Sequence, residues 1–202
     1  HEISYNEAGE MAQYGAKILH ASSLVPAMRE RIPVFVGSSY AADEKGTWIR
    51  EAVADKPLVR AIAKRSNQAL LTIRTPKMMN SFGFMGRIFD VFTNNEISVD
   101  CVSTSEISVA ISTDEANLKN SKLIEELAKL GEVSSEAGFS LVSVIGNEML
   151  HKAGLGKRMF SAIESVNVRL VCLGASPYNF NVLVRNDEAD TTIQKLHREF
   201  IG

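Results

Sequence analysis

ALLTIRTPKMMNSFGFMGRIFDVFTNNEISVDCVSTSEISVAIS, residues 69–112, is the stretch on which the fold turns. ALLTI is β-rich and short, so it reads as a strand, and TPKMMNS after it as a loop. From Gly83 to Asn95 the period changes: Phe84, Ile88 and Phe92 recur at i, i+4 and i+8, with Met85 and Phe89 beside them. That spacing makes one apolar helix face. ISVDCV then alternates, with Ile97, Val99 and Cys101 on one side and Ser98 and Asp100 on the other, as a half-buried strand does. EISVAIS supplies the next strand. Leu123, Leu127 and Leu130 mark a second helix stopped by Gly131, and EVSSEA a further short strand. The order is β-α-β-β-α-β.

The C-terminal third repeats this plan. Gly83 matches Gly154 at an offset of 71 residues, and the same offset relates Phe89 to Phe160, Ile97 to Val168, Cys101 to Cys172 and Ser105 to Ser176. Matches at one offset in equivalent elements point to an internal duplication. The second copy reads LVSVIGN as a strand, 151–165 as a helix, NVRLVCL and FNVLV as strands, and 188–199 as a helix. It lacks a fourth strand, which would leave a sheet edge open. Segment 58–65, ahead of the first copy, is the spare donor, so the first module reads as inserted into the second. The two cysteines fall at matching inward sites and read as small buried apolar residues, without a redox role.

Outward from these modules the signals are plainer. Ser4 and Glu7 have capping-box spacing ahead of a helix with Ala8, Met11 and Ala12 on one stripe. A helix over 22–30, a buried strand at IPVFV and a surface turn at SSYAADEK follow. In 55–66 the apolar residues do not alternate cleanly, and Lys56, Arg60, Lys64 and Arg65 read as a solvated edge. The chain opens on His1 in a helical context and without an initiator Met, which suggests a piece of something longer. Of its 202 residues 45% are hydrophobic and 23% charged, an ordinary globular balance, and the formal charge is -2. No field of one sign exists for nucleic acid or an anionic membrane. With no membrane-length apolar run and no signal peptide, a cytoplasmic protein is expected.

Catalytic signatures are scarce. GLGKRM at 154–159 imitates half a phosphate loop, but Arg158 stands where a Ser or Thr would hold magnesium, and His151 where the first glycine belongs. His1, His20, His151 and His197 are scattered without ligand spacing, so no metal site is expected. A binding site is easier to argue. Asn80, Ser81 and Gly83 precede a helix whose free N–H groups favour a carboxylate, and Thr104, Ser105 and Glu106 follow the strand beside it. Asp100 and Glu106 add two negative charges near that cradle, a pattern complementary to a free basic amino acid. The plainer alternative makes Asp100 a solvated strand residue and Ser81 a helix cap.

GAKILH (15–20), IPVFVGSS (32–39) and GTWI (46–49) resemble the end of the kinase domain of aspartate kinases. MMNSFGFMGRIF (78–89) with ISVDCVSTSE (97–106) resembles the first ACT module of the lysine-sensitive, monofunctional branch, and GASPYNFNVLV (174–184) the matching part of the second. The resemblance spans essentially the whole chain. It implies an α+β fold of two ferredoxin-like ACT modules, the first inserted in the second, preceded by the α/β end of an amino-acid-kinase domain. The expected division is a kinase-domain tail over 1–50, a linker with one strand of the second module over 51–70, a first ACT module over 71–138 and a second over 139–202.

Family members transfer the γ-phosphoryl group of ATP to the side-chain carboxylate of aspartate, with ATP and Mg belonging to the parent enzyme. Their N-terminal catalytic motifs are absent here, so no cofactor is expected for this chain and no activity by itself. By matching, Lys17 is a nucleotide contact of the parent. The lysine effector contacts fall on Met78, Ser81, Phe84, Met85, Ser98, Val99, Asp100, Ser105 and Glu106. Ala21 departs from the proline many relatives carry, without touching that set. Arg169 and Cys172 replace the polar pattern around Asp100 in the second copy, so no second lysine site is expected there. The implied role is an allosteric lysine sensor that also dimerises. Threonine or S-adenosylmethionine as effector, or a purely structural dimerisation module, are the alternatives.

Overall fold

Ser4 opens the first helix as its spacing requires. Its hydroxyl accepts the Glu7 N–H at 3.2 Å while the Glu7 carboxylate accepts the Ser4 N–H at 2.8 Å. The computed structural model describes residues 2–16, 19–40, 46–79 and 81–202. Strand β1 (Glu2–Ser4) leads into α1 (Tyr5–Gln13), then α2 (Ala21–Glu30), β2 (Val34–Val36) and β3 (Thr47–Arg50). These strands form a three-stranded sheet of order β1-β3-β2. IPVFV is thus an edge strand and not a buried one: Phe35 is exposed and leans on Trp48, with ring centroids 5.0 Å apart. The turn read at SSYAADEK lies partly outside the described residues.

The rest of the chain is one six-stranded sheet with helices. Its elements are β4 (Val59–Arg74), α3 (Phe84–Asn94), β5 (Cys101–Thr104), β6 (Ser108–Asp114), α4 (Ser121–Ala128), β7 (Glu132–Gly146), α5 (Leu155–Ala162), β8 (Leu170–Cys172), β9 (Asn179–Arg185) and α6 (Asn186–Phe200). The strand order is β5-β6-β4-β7-β9-β8. Two strands separately legible on each side are continuous. β4 joins segment 58–65 to ALLTI, and β7 joins EVSSEA to LVSVIGN. They run antiparallel along their length, from Val59 opposite Gly146 to Arg74 opposite Glu132, with register shifts around Gln68. The C-terminal half of β4 pairs with β6 and serves the first module, whereas residues 59–65 complete the second beside the end of β7. The missing fourth strand is therefore supplied as expected, and the ferredoxin-like modules are interleaved.

The basic residues of that segment are not a solvated edge. Arg60 pairs with Glu7 and Asp55, Lys64 with Asp190, and Arg65 with Asp100 and Asp114; of the four, Lys56 alone is exposed. Acidic partners from four other segments converge on β4 because it lies centrally in the fold.

Three apolar clusters hold the sheet. Leu71, Ile73, Val109 and Ile111 meet Phe84, Ile88 and Phe92 of α3 and Leu123 and Leu127 of α4. Val142, Val144, Phe180, Val182 and Val184 meet Leu155, Met159 and Ile163 of the second module, with Ala189 and Leu196 from α6. Fully burying each large side chain is worth roughly 1.5–3 kcal/mol. The third cluster, Leu70, Cys101, Phe139, Leu141, Leu170 and Leu183, lies on the opposite sheet face and is shared by both modules.

The repeat needs one correction. Asp100 N–H donates to the Ser112 carbonyl, and Arg169 N–H to the Leu183 carbonyl, at 3.0 and 2.8 Å. Ser112 and Leu183 are 71 residues apart, but Asp100 and Arg169 only 69. The β5 and β8 strands are therefore offset by 69, and Cys101 corresponds to Leu170, not to Cys172. The connection after α5 is two residues shorter than its counterpart, and Gly174 and Ala175 restore the count before Ser176.

Candidate functional site

The loop from β4 to α3 is tied to the β5–β6 turn by its first residue, for Thr75 N–H donates to the Ile107 carbonyl at 2.8 Å. Met78 N–H returns to the Thr75 carbonyl at 3.3 Å and Ser81 N–H to Met78 at 3.1 Å, closing the loop on itself. Gly83, at φ 71°, then turns the chain into α3 without a side-chain cap. A residue with a Cβ is strained there, so glycine is favoured. The first N–H groups of α3 consequently lack side-chain partners, which favours an anion at this end.

In the β5–β6 turn the Ser105 and Ser108 hydroxyls bond each other at 2.7 Å, and Ser105 Oγ accepts the Ser108 N–H at 3.2 Å. The fold thus groups Met78, Ser81, Met85, Ser105 and Glu106 at one end of the first module. Phe84 sits below them in the core.

Ser98, Val99 and Asp100 lie at the other end. The Ser98 carbonyl accepts Thr113 Oγ1 at 2.9 Å, and the Asp100 backbone pairs with Ser112. Between Asp100 and Glu106 runs extended β5. At about 3.3 Å per residue the two backbones are up to about 20 Å apart. Asp100 and Glu106 therefore do not flank one cradle within a protomer. Asp100 is not on an exposed face either: its side chain is 4% exposed, and Oδ1 accepts Arg65 Nη1 at 2.7 Å. Burial pushes its carboxyl above the usual aspartate value despite the Arg65 charge. Oδ2 has no hydrogen-bond partner within the described residues. Sequence reading missed this because Arg65 arrives from a different strand, 35 residues away.

A cavity of about 610 Å³ opens between α1 and this region, walled by Glu10, Tyr14, Asp100, Cys101, Cys172 and Tyr178 among others. Burial lifts the Tyr14 hydroxyl to about 12, so it stays a neutral donor at physiological pH. Both cysteines are free thiols, Cys101 buried and Cys172 half-buried. The Cys172 thiol donates to the Val102 carbonyl at 3.6 Å, bringing the β5 and β8 edges together. The adjoining Cys172 thiol and burial raise Cys101 well above an ordinary cysteine.

Sequence reading also missed how α1 engages the second module. Its signal was present in Glu7, which the capping box explained only in part. Lys17 lies outside the described residues. Among those described, no three His, Cys, Asp or Glu side chains are placed to hold a metal ion, and no helix is long and apolar enough to cross a membrane. Lys157 and Arg158 of the half phosphate loop lie on α5, where Arg158 pairs with Glu199 at 2.9 Å.

Residues 142–200 match the ACT domain family. The chain is 42% identical to the lysine-sensitive aspartokinase 3 of Escherichia coli over 97% of its own length and 45% of that protein's. It spans about half the length of the curated relatives it matches. Two solved structures of E. coli aspartokinase III cover all of it and 46% of the chains compared. The complex with aspartate and ADP, an R-state, superposes with a TM-score of 0.92 at 41% identity. The complex with lysine and aspartate, a T-state, gives 0.87 at 42% identity.

Proposed function

The chain belongs to the aspartokinase family, as the part that carries its paired ACT modules, and from that membership we propose that it senses free lysine for feedback control of aspartate phosphorylation. The parent kinase domain would use ATP with Mg to form 4-phospho-L-aspartate, and Lys17 would lie near its nucleotide. The division into a tail over 1–50, a linking segment over 51–70 and modules over 71–138 and 139–202 belongs to the same reading.

One observation carries the effector assignment: the matched contacts fall into two groups at opposite ends of the edge strand β5. No single lysine reaches both groups in one protomer. Two β5 edges related by a twofold axis run antiparallel, so Ser98, Val99 and Asp100 of one protomer meet Met78, Ser81, Met85, Ser105 and Glu106 of the other. This supports a homodimer with lysine bridging its interface. The lysine carboxylate suits the α3 N-terminus and the Ser105 turn. An ammonium group suits Asp100, whose Oδ2 lacks a donor. Phe84 supports the loop from below.

The route to the kinase domain is short. Glu7 of α1 accepts hydrogen bonds from Arg60 of β4 and from Asn147 after β7, so reorienting the modules moves α1. Closer likeness to the R-state than to the lysine-bound T-state fits the relaxed arrangement.

Calorimetry tests the assignment. Lysine should bind with measurable heat, and threonine and S-adenosylmethionine should not. A hydrogen bond to a charged group is worth roughly 1.5–3 kcal/mol, so Asp100→Asn should weaken lysine about tenfold to a hundredfold. Sedimentation should show a dimer at micromolar concentration. No heat with lysine, or equal affinity in wild type, Asp100→Asn and Ser105→Ala, would remove the effector; a monomer with lysine present would remove the bridged site.

A further inference from the structure

The second module has a site equivalent to the Ser105 turn, and it is filled. The bond from Thr75 N–H to the Ile107 carbonyl recurs 71 residues on as Gly146 N–H to Tyr178, at 2.9 Å. Ile107 N–H to Ser105 Oγ, 3.4 Å, recurs as Tyr178 N–H to Ser176 Oγ, 3.1 Å. Ser176 and Asn179 are therefore the counterparts of Ser105 and Ser108. In the first module those two hydroxyls bond each other at an exposed turn. In the second, Ser176 Oγ donates to Glu10 Oε1 and Asn179 Nδ2 to Glu10 Oε2, each at 2.7 Å. One donor meets each carboxylate oxygen, so the fork is shaped for a carboxylate and α1 delivers one. Asn6 of the same helix donates to the Tyr178 hydroxyl at 2.8 Å and fixes the approach.

We propose that Ser176 and Asn179 form a carboxylate site in the second module whose resident ligand is the chain's own Glu10. A tethered occupant acts at a millimolar or higher effective concentration. A free small carboxylate held by two neutral donors cannot displace it at comparable levels. The second module is thereby closed to free amino acids by occupancy as well as by Arg169, and the first module keeps the open fork. The fork also gives the second module a direct grip on α1. None of this depends on which effector the first module takes.

The test uses the 202-residue chain. Sodium acetate is titrated against sodium chloride at constant ionic strength, and the Asn179 side-chain amide and Tyr178 N–H are followed by nitrogen-15 NMR. In Glu10→Ala both signals should shift saturably with acetate. In wild type, and in Glu10→Ala with Asn179→Ala, Tyr178 should not. Equal responses in wild type and Glu10→Ala, or none in Glu10→Ala, overturn the site. Should Glu10→Ala fail to fold, a double-mutant cycle of Glu10→Met, which keeps the side-chain length without an oxygen acceptor, with Asn179→Ala by urea unfolding carries the same question. Coupling of about tenfold in the unfolding constant is expected for a charge-assisted pair. Coupling below about twofold overturns the proposal.

Discussion

Glu7→Ala should destabilise the chain by about 3–5 kcal/mol, the scale of a buried ion pair broken on one side. The Glu7 side chain is 0% exposed. Oε2 accepts the Ser4 N–H and hydroxyl at 2.8 Å each, and Oε1 accepts Arg60 Nε at 3.0 Å and Asn147 Nδ2 at 2.9 Å. Alanine takes the acceptor from the Ser4 N–H and hydroxyl and from Arg60 Nε, and leaves Arg60 only Asp55 and Asn147 Nδ2 only the Pro57 carbonyl. Glu7→Gln, which keeps the shape, should cost less, and urea unfolding measures both.

The same carboxyl sets an acid limit. Burial pushes Glu7 up, but the hydrogen bonds from Ser4, Asn147 and Arg60 outweigh it and leave it below the ordinary 4.5. Its stabilisation is therefore full above about 4.5 and lost as pH falls through the lower folded value. Wild type should lose stability below pH 4.5 more steeply than Glu7→Gln. Parallel acid titrations would remove Glu7 from this role.

Gly146→Ala should be equally severe, at about 4 kcal/mol or more. A Cβ there would lie 1.9 Å from the Leu58 carbonyl oxygen, 2.7 Å from its carbon and 2.8 Å from Val59 Cα. All three are backbone, so the end of β7 must part from the start of β4. Gly86→Ala is the contrast. Nothing lies within 4 Å of its Cβ position on α3, and alanine should add up to about 1 kcal/mol of helix stability. Thermal melts of both, with hydrogen exchange over residues 59–65, check the pair. A Gly146→Ala chain that melts like wild type would mean the two strands can separate there at little cost.

What could be read from the sequence was local. Phe84, Ile88 and Phe92 face the core as their spacing required, and Ser4 and Glu7 cap α1. The need for a donor strand was legible by counting. Continuity of β4 was not, because it changes partners midway. Val59 faces the second module's helices and Leu71 the first module's, with register shifts around Gln68 and Asn67 at φ 59° between them. No single alternation survives that. The pairing of Cys101 with Cys172 looked sound at one offset, but compensating changes of two residues on either side of β8 are invisible without pairing partners. For the candidate site the sequence suggested residues, but their separation by β5 could not be seen in it. The burial of Asp100 depends on Arg65, and α1's grip on Asn147, Ser176 and Asn179 spans 140 residues or more.

β4 and β7, 16 and 15 residues long, make a two-stranded ribbon roughly 50 Å in length that belongs to both modules at once. Such a ribbon is a torsion bar. Twist applied where β4 meets β6 has no joint at which to dissipate before it reaches β9, except the irregular step at Gln68. That step sets the compliance: stiffening it would make both ends turn together, and loosening it would let each turn alone. The chain thus keeps its two modules in mechanical register through a shared axle.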